Sequence, residues 1–157
     1  NRPEWLAADL AVQMAGGIAV GVYATSSAEQ LRYLLEHSGA VGLILEDDEQ
    51  MEKWRAVRET LPAVQWVVAL EPLEAEGVRR WDDALAEGAR LLEHDPAPLA
   101  QRLAALKPEN PALLMYTSGT TGQPKGALLS QRNLLWASET LAAALEYRRD
   151  DEGLSYL

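Results

Sequence analysis

The chain has no cysteine, which excludes a disulfide framework, a thiolate metal site and a cysteine nucleophile together. It also lacks any apolar run near the roughly 20 residues that a spanning helix needs. The opening "NRPEWLAADL" contains none of the parts of a secretion signal. The expectation from these absences is a soluble protein of the cytoplasm without a transmembrane segment. Positive charge is scarce: 14 Lys and Arg stand against 24 Asp and Glu, a formal net charge of −10. Such a surface repels phosphate backbones, so nucleic acid is excluded as an expected partner. A small anion in a locally basic or amide-lined pocket is still allowed.

What is present suits a globular fold. The 157 residues are 48% apolar and 24% charged, enough to bury a core within one domain. Helical and strand patterns alternate. Asn1 and Glu4 have the spacing of a capping box, with Pro3 in the first turn. Trp5, Leu6, Leu10 and Met14 then predict an apolar helical stripe ended by Gly16-Gly17. "IAVGVY" (18–23) reads as a strand. Ser27 and Gln30 repeat the capping signal, Leu31, Leu34 and Leu35 share a face, and Gly39 stops the helix. "VGLIL" (41–45) reads as a buried strand.

A helix follows from about Asp47 to Thr60, with Met51, Trp54 and Val57 on one side. Pro62 closes it before the strand "VQWVVAL" (64–70). Residues 71–80 read as a charged connection within the domain. Helices are expected over 81–93 and 98–106, separated by Pro96 and Pro98. "PALLMY" (111–116) and "ALLS" (127–130) read as strands, and 131–146 as a helix. Continuous apolar strands alternating with helices predict an α/β layered fold, a largely parallel sheet flanked by helices. There is no internal repeat. A helix cap at the first residue and the strand-like "LSYL" at the last suggest a piece of something longer.

The stretch "YTSGTTGQPKGA" (116–127) is too polar for a core, yet it follows a buried strand. Gly119, Gly122 and Gly126 permit close backbone approach, so that successive N–H groups can point at one anion. Thr117, Ser118, Thr120 and Thr121 add hydroxyl donors, and Lys125 adds a mobile positive charge. Tyr116 fixes where the loop departs. These parts make a polyphosphate cradle, although the same composition occurs in plain polar linkers. It is not the Walker loop, because Lys125 is followed by Gly126 and Ala127 rather than by a hydroxyl and a helix. Strand–loop–strand is the expected arrangement, with a flexible, lid-like loop.

In the order of its residues this stretch closely resembles the phosphate-loop signature of the adenylate-forming superfamily. That group includes acyl-CoA synthetases, luciferases and peptide-synthetase adenylation domains. "NRPEW", "GVYATSSAEQLRYLLEHSGA" and "LEDDEQ" look like the N-terminal part of long-chain fatty acyl-CoA synthetases. The resemblance spans the chain, loosely over 71–106. It implies a partial N-terminal AMP-binding domain over 1–157, part of the large N-terminal domain of an adenylate-forming enzyme, with the C-terminal part absent. It further implies ATP, magnesium, coenzyme A and a fatty acid as the parent's partners, and at most a peripheral membrane association through the lipid. Carried over by position, Thr117, Ser118, Gly119, Thr120, Thr121, Gly122 and Lys125 hold the β- and γ-phosphates, and Thr117 meets magnesium. No residue of the segment is assigned as catalytic.

The family's adenine-binding segment, ribose-binding aspartate, hinge and C-terminal lysine have no counterpart here, so the chain alone is expected to be inactive. Two alternatives stand beside this: a stand-alone phosphate-binding or interaction module, and a ligase for an aryl or medium-chain acid. Gln131 stands where the family often has histidine, and Asn110 where it often has aspartate, a local turn matter. His37 and His94 read as helix-end residues. Trp5, Trp54, Trp66 and Trp81 read as core, and Trp136 as core or a partner contact. The acidic run 46–50 reads as a solvated helix cap. Exposed strand edges suggest self-association of the fragment.

Overall fold

A computed structural model of the chain describes residues 2–73, 75–117, 122–148 and 150–152. The chain falls into two compact units: Asn1–Val20 with Leu99–Leu157, and Gly21–Pro98. Both are α/β.

The core lies in the second unit. Its helix α2 (Ala28–Ser38) starts at a Ser27–Gln30 capping box and ends on Gly39 at φ 66°. There the left-handed turn suits a residue without a Cβ. Strand β2 (Gly42–Leu45) pairs in parallel with β3 (Trp66–Ala69), and β3 in parallel with β4 (Val78–Arg80). Between β2 and β3 runs α3 (Asp48–Val57), capped by Asp47 and continued by a 3₁₀ turn at Arg58–Thr60. Leu45, Val67 and Ala69 point to one face of the sheet and meet Leu31, Leu35, Met51, Trp54 and Val57. The Leu, Val and Met side chains among them each contribute about 1.5–3 kcal/mol on burial. Helix α4 (Trp81–His94) follows β4 without a loop.

Three expectations for this unit change. The connection 71–80 contains β4, a strand hidden because Arg79 and Arg80 are exposed at a sheet edge. Trp66 is 41% exposed rather than core, and Trp81 is half-buried. A Cβ on Gly42 would come within 1.9 Å of the Trp66 indole, its direct partner in the β2–β3 register. Gly42→Ala should therefore push the Trp66 ring outward and cost about 1–3 kcal/mol. A red-shifted tryptophan emission and a lower Tm would report it; an unchanged Tm would contradict it.

Fewer of the described residues are buried in the first unit. Helix α1 (Pro3–Met14) starts at Arg2 with no side-chain cap, and Asn1 lies outside the described residues. Its predicted stripe is not buried: Trp5 is 57% exposed, and Leu6, Leu10 and Met14 are exposed too. Gln13 is the buried residue of α1, donating from Nε2 to Asp9 at 2.8 Å. Burial pushes the Asp9 carboxyl above its ordinary value, opposed by that hydrogen bond. Strand β1 is only Ala19–Val20, shorter than "IAVGVY" suggested. It pairs in parallel with β5 (Pro111–Thr117), which pairs antiparallel with β6 (Lys125–Ser130). Helix α5 (Ala97–Ala105) takes Pro98 into its first turn, so that Pro98 opens the helix rather than separating it. Arg102 Nη1 donates to the Ala15 carbonyl at 3.1 Å. Helix α6 (Gln131–Ala144) ends the described fold, and the strand-like "LSYL" lies outside the described residues.

Candidate functional site

The polar stretch sits where strand–loop–strand was expected, between the antiparallel strands β5 and β6. Thr117 ends β5, Lys125 begins β6, and the two are direct register partners. Side chains of directly opposed residues in an antiparallel pair project to the same face, with Cβ atoms about 4.5–5.5 Å apart. The mouth of the loop thus presents one hydroxyl and one ammonium side by side, both exposed. Ser118, Gly119, Thr120 and Thr121 lie outside the described residues. Gly122 has φ 138° and open space around its Cβ position. Only glycine adopts that dihedral without strain.

The hairpin is held from behind. Gly126 pairs with Tyr116, and a Cβ there would lie 3.0 Å from Leu114 Cδ1 and 3.5 Å from Tyr116 Cε1. The missing side chain makes room for the half-buried Tyr116 ring at the strand end. At the far end of β6, Ser130 and Asn133 form a capping box for α6. The turn Lys107–Asn110 clamps this corner. Asn110 Oδ1 accepts from Lys107 N–H at 2.7 Å, and its carbonyl accepts from Gln131 N–H at 2.9 Å. Arg132 N–H donates to the Pro108 carbonyl at 2.8 Å, and its guanidinium pairs with Glu109. Asn110 is therefore a turn residue, as read from sequence. Gln131 is the first residue of α6, at the opposite end of β6 from the loop. The element that follows the loop in sequence is thus the strand β6 and not a helix, unlike the Walker arrangement.

The sequence reading missed this corner, although the Ser-x-x-Asn spacing of 130–133 is itself a capping signal. His37 lies in the last turn of α2, its ring 5.4 Å from that of Tyr33. Among the described residues, no three His, Cys, Asp or Glu side chains converge as a metal site. Nor is any described helix long and apolar enough to cross a membrane.

Strand β5 ending in Tyr116-Thr117 and strand β6 opening on Lys125-Gly126 give the strand–loop–strand arrangement expected from the residues. The family model for the AMP-binding enzyme matches residues 1–157. The chain belongs to that family. It is 41% identical to the long-chain-fatty-acid–CoA ligase FadD15 of Mycobacterium tuberculosis over 135 residues, covering 86% of this chain and 22% of that one. Against the long-chain-fatty-acid–CoA ligase ACSBG2 of Rattus norvegicus it is 34% identical over 168 residues, covering all of this chain and 24% of the relative. The chain thus spans under a quarter of the length of these relatives. Among solved structures, an anthranilate CoA ligase, AuaEII, with anthranoyl-AMP superposes with a TM-score of 0.70 at 22% identity, over 88% of this chain and 25% of that one. At that identity the likeness shows the fold: a layered α/β arrangement shared with AMP-binding ligases.

Proposed function

We propose that this chain is the N-terminal segment of an ATP-dependent long-chain fatty acid–CoA ligase, and that its β5–β6 loop cradles the β- and γ-phosphates of ATP. The observation that carries the reading is the pairing of Thr117 with Lys125 across the mouth of a Ser/Thr/Gly loop. It is supported by relatives that are themselves long-chain-fatty-acid–CoA ligases. In the parent enzyme a fatty carboxylate oxygen attacks the α-phosphorus, the bond to the β-phosphate breaks, and pyrophosphate leaves. The thiol of coenzyme A then attacks the acyl carbonyl and AMP leaves.

Within this scheme Lys125 balances the charge that grows on the leaving pyrophosphate. Thr117, Ser118, Gly119, Thr120, Thr121 and Gly122 supply N–H and hydroxyl donors that align it for in-line displacement. Magnesium fits the donor set: Thr117 would give it one oxygen, and substrate phosphates and water the rest. When bound, the ion would neutralise phosphate charge. The protein works in the cytoplasm on this reading, meeting membranes only through its lipid substrate. A stand-alone module or an aryl-acid ligase is not favoured by such relatives.

The test is pyrophosphate release from ATP that depends on a long-chain fatty acid. A full-length ligase carrying this segment should turn over, and residues 1–157 alone should not. Turnover by the short chain, or a full-length enzyme that ignores long-chain acids, would overturn the proposal.

A further inference from the structure

Among the described residues the two sheets have four edge strands, β1 and β6 in one and β2 and β4 in the other. An edge strand presents unpaired N–H and C=O groups, a template for another strand. Three of the four are poor templates. Strand β1 has two residues, β2 is half-buried or buried along its length, and β4 carries the exposed Arg79 and Arg80. Strand β6 differs. It is six residues long and exposed over 125–128, with Leu128 57% exposed. Residues 111–138, which include it, contain none of the 24 Asp and Glu of the chain. Self-repulsion of a molecule with net charge −10 is therefore weakest along this stretch.

The residues of β6 fit a second copy of themselves. When two identical strands pair antiparallel about a two-fold axis, one residue stands opposite its own copy. With Leu128 at that point, Ala127 meets Leu129 of the second copy and Gly126 meets Ser130. Lys125, the one charge of the strand, then stays outside the paired stretch. Leu128 is the register partner of Leu114, Ala127 of Met115, and Leu129 of Leu113. Apolar rows therefore run on across the join, Leu114–Leu128 into the same pair of the second copy, and Met115–Ala127 into its Leu129–Leu113. Centring on Ala127 would instead set Lys125 against Leu129. We propose that β6 is a self-association edge, through which two copies of this chain join their sheets antiparallel over residues 126–130, with Leu128 on the two-fold axis.

Sedimentation of the 157-residue chain over a concentration series tests this, with amide hydrogen exchange followed on the same samples. A monomer–dimer equilibrium is expected, and exchange over 126–130 should slow as the dimer fills. Leu128→Lys sets two ammonium groups face to face and removes a buried apolar contact, so it should weaken the dimer about tenfold. Leu85→Lys on α4 adds the same charge at a leucine that is 55% exposed, and should leave the dimer unchanged. A monomer at every concentration would overturn the proposal, as would equal effects of the two variants. So would a dimer whose 126–130 amides exchange at the monomer's rate.

Discussion

Lys125→Ala in a ligase carrying this segment is expected to lower kcat for fatty-acid-dependent ATP cleavage by about 100-fold, the order seen when a preorganised charge partner is removed. Lys125 opens β6 opposite Thr117, with its side chain exposed at the mouth of the loop. Negative charge on the pyrophosphate increases as the bond to the α-phosphate breaks. An ammonium placed there therefore stabilises the transition state more than bound ATP, and the loss falls on kcat rather than on the KM for the fatty acid. Lys125→Arg should recover part of the rate, because the charge persists while its geometry changes. An unchanged kcat in Lys125→Ala would remove Lys125 from the leaving-group site.

Trp54→Ala is expected to destabilise the chain by about 3–5 kcal/mol, as large-to-small core changes do. Trp54 is buried on α3 in the cluster with Met51, which is 1% exposed, and Val57. A typical domain has only about 5–15 kcal/mol in total, so the variant should sit near the edge of folding. By contrast Trp136, 68% exposed on α6, should tolerate alanine within about 0.5 kcal/mol. Denaturant melts of the two variants check the contrast. Equal losses would mean that the core does not sit on α3.

These two tryptophans also mark how far the residues could be read. Where a local signal and a tertiary partner agree, the elements appear as expected: Ser27–Gln30 caps α2, Gly39 ends it, and Asp47 caps α3. Periodicity alone was insufficient for α1. Its stripe Trp5, Leu6, Leu10 and Met14 has the helical spacing but is exposed, because spacing says which residues share a face, not whether anything covers it. Strand β4 was hidden for the opposite reason, since two exposed arginines at a sheet edge carry no apolar signal. Trp66 looked like core because its strand is. Its indole instead lies over Gly42 on the side facing away from the cluster.

The strands on either side of the loop were legible as strand–loop–strand, while Ser118, Gly119, Thr120 and Thr121 lie outside the described residues. The hairpin adds one fact that residue order could not supply, the direct opposition of Thr117 and Lys125. At the corner, the Lys107–Asn110 turn and the Ser130–Asn133 cap are local and legible, but their joining through Gln131 N–H to Asn110 and Arg132 N–H to Pro108 links segments far apart in sequence, which no short motif encodes.

The central claim is that this hairpin receives the leaving pyrophosphate. The most direct measurement is an amide titration of the chain with pyrophosphate, with and without Lys125→Ala. The account predicts shifts concentrated over residues 117–126 and weakened by the substitution. Saturable shifts at Arg79, Arg80 and Arg90 with none at the loop would contradict it.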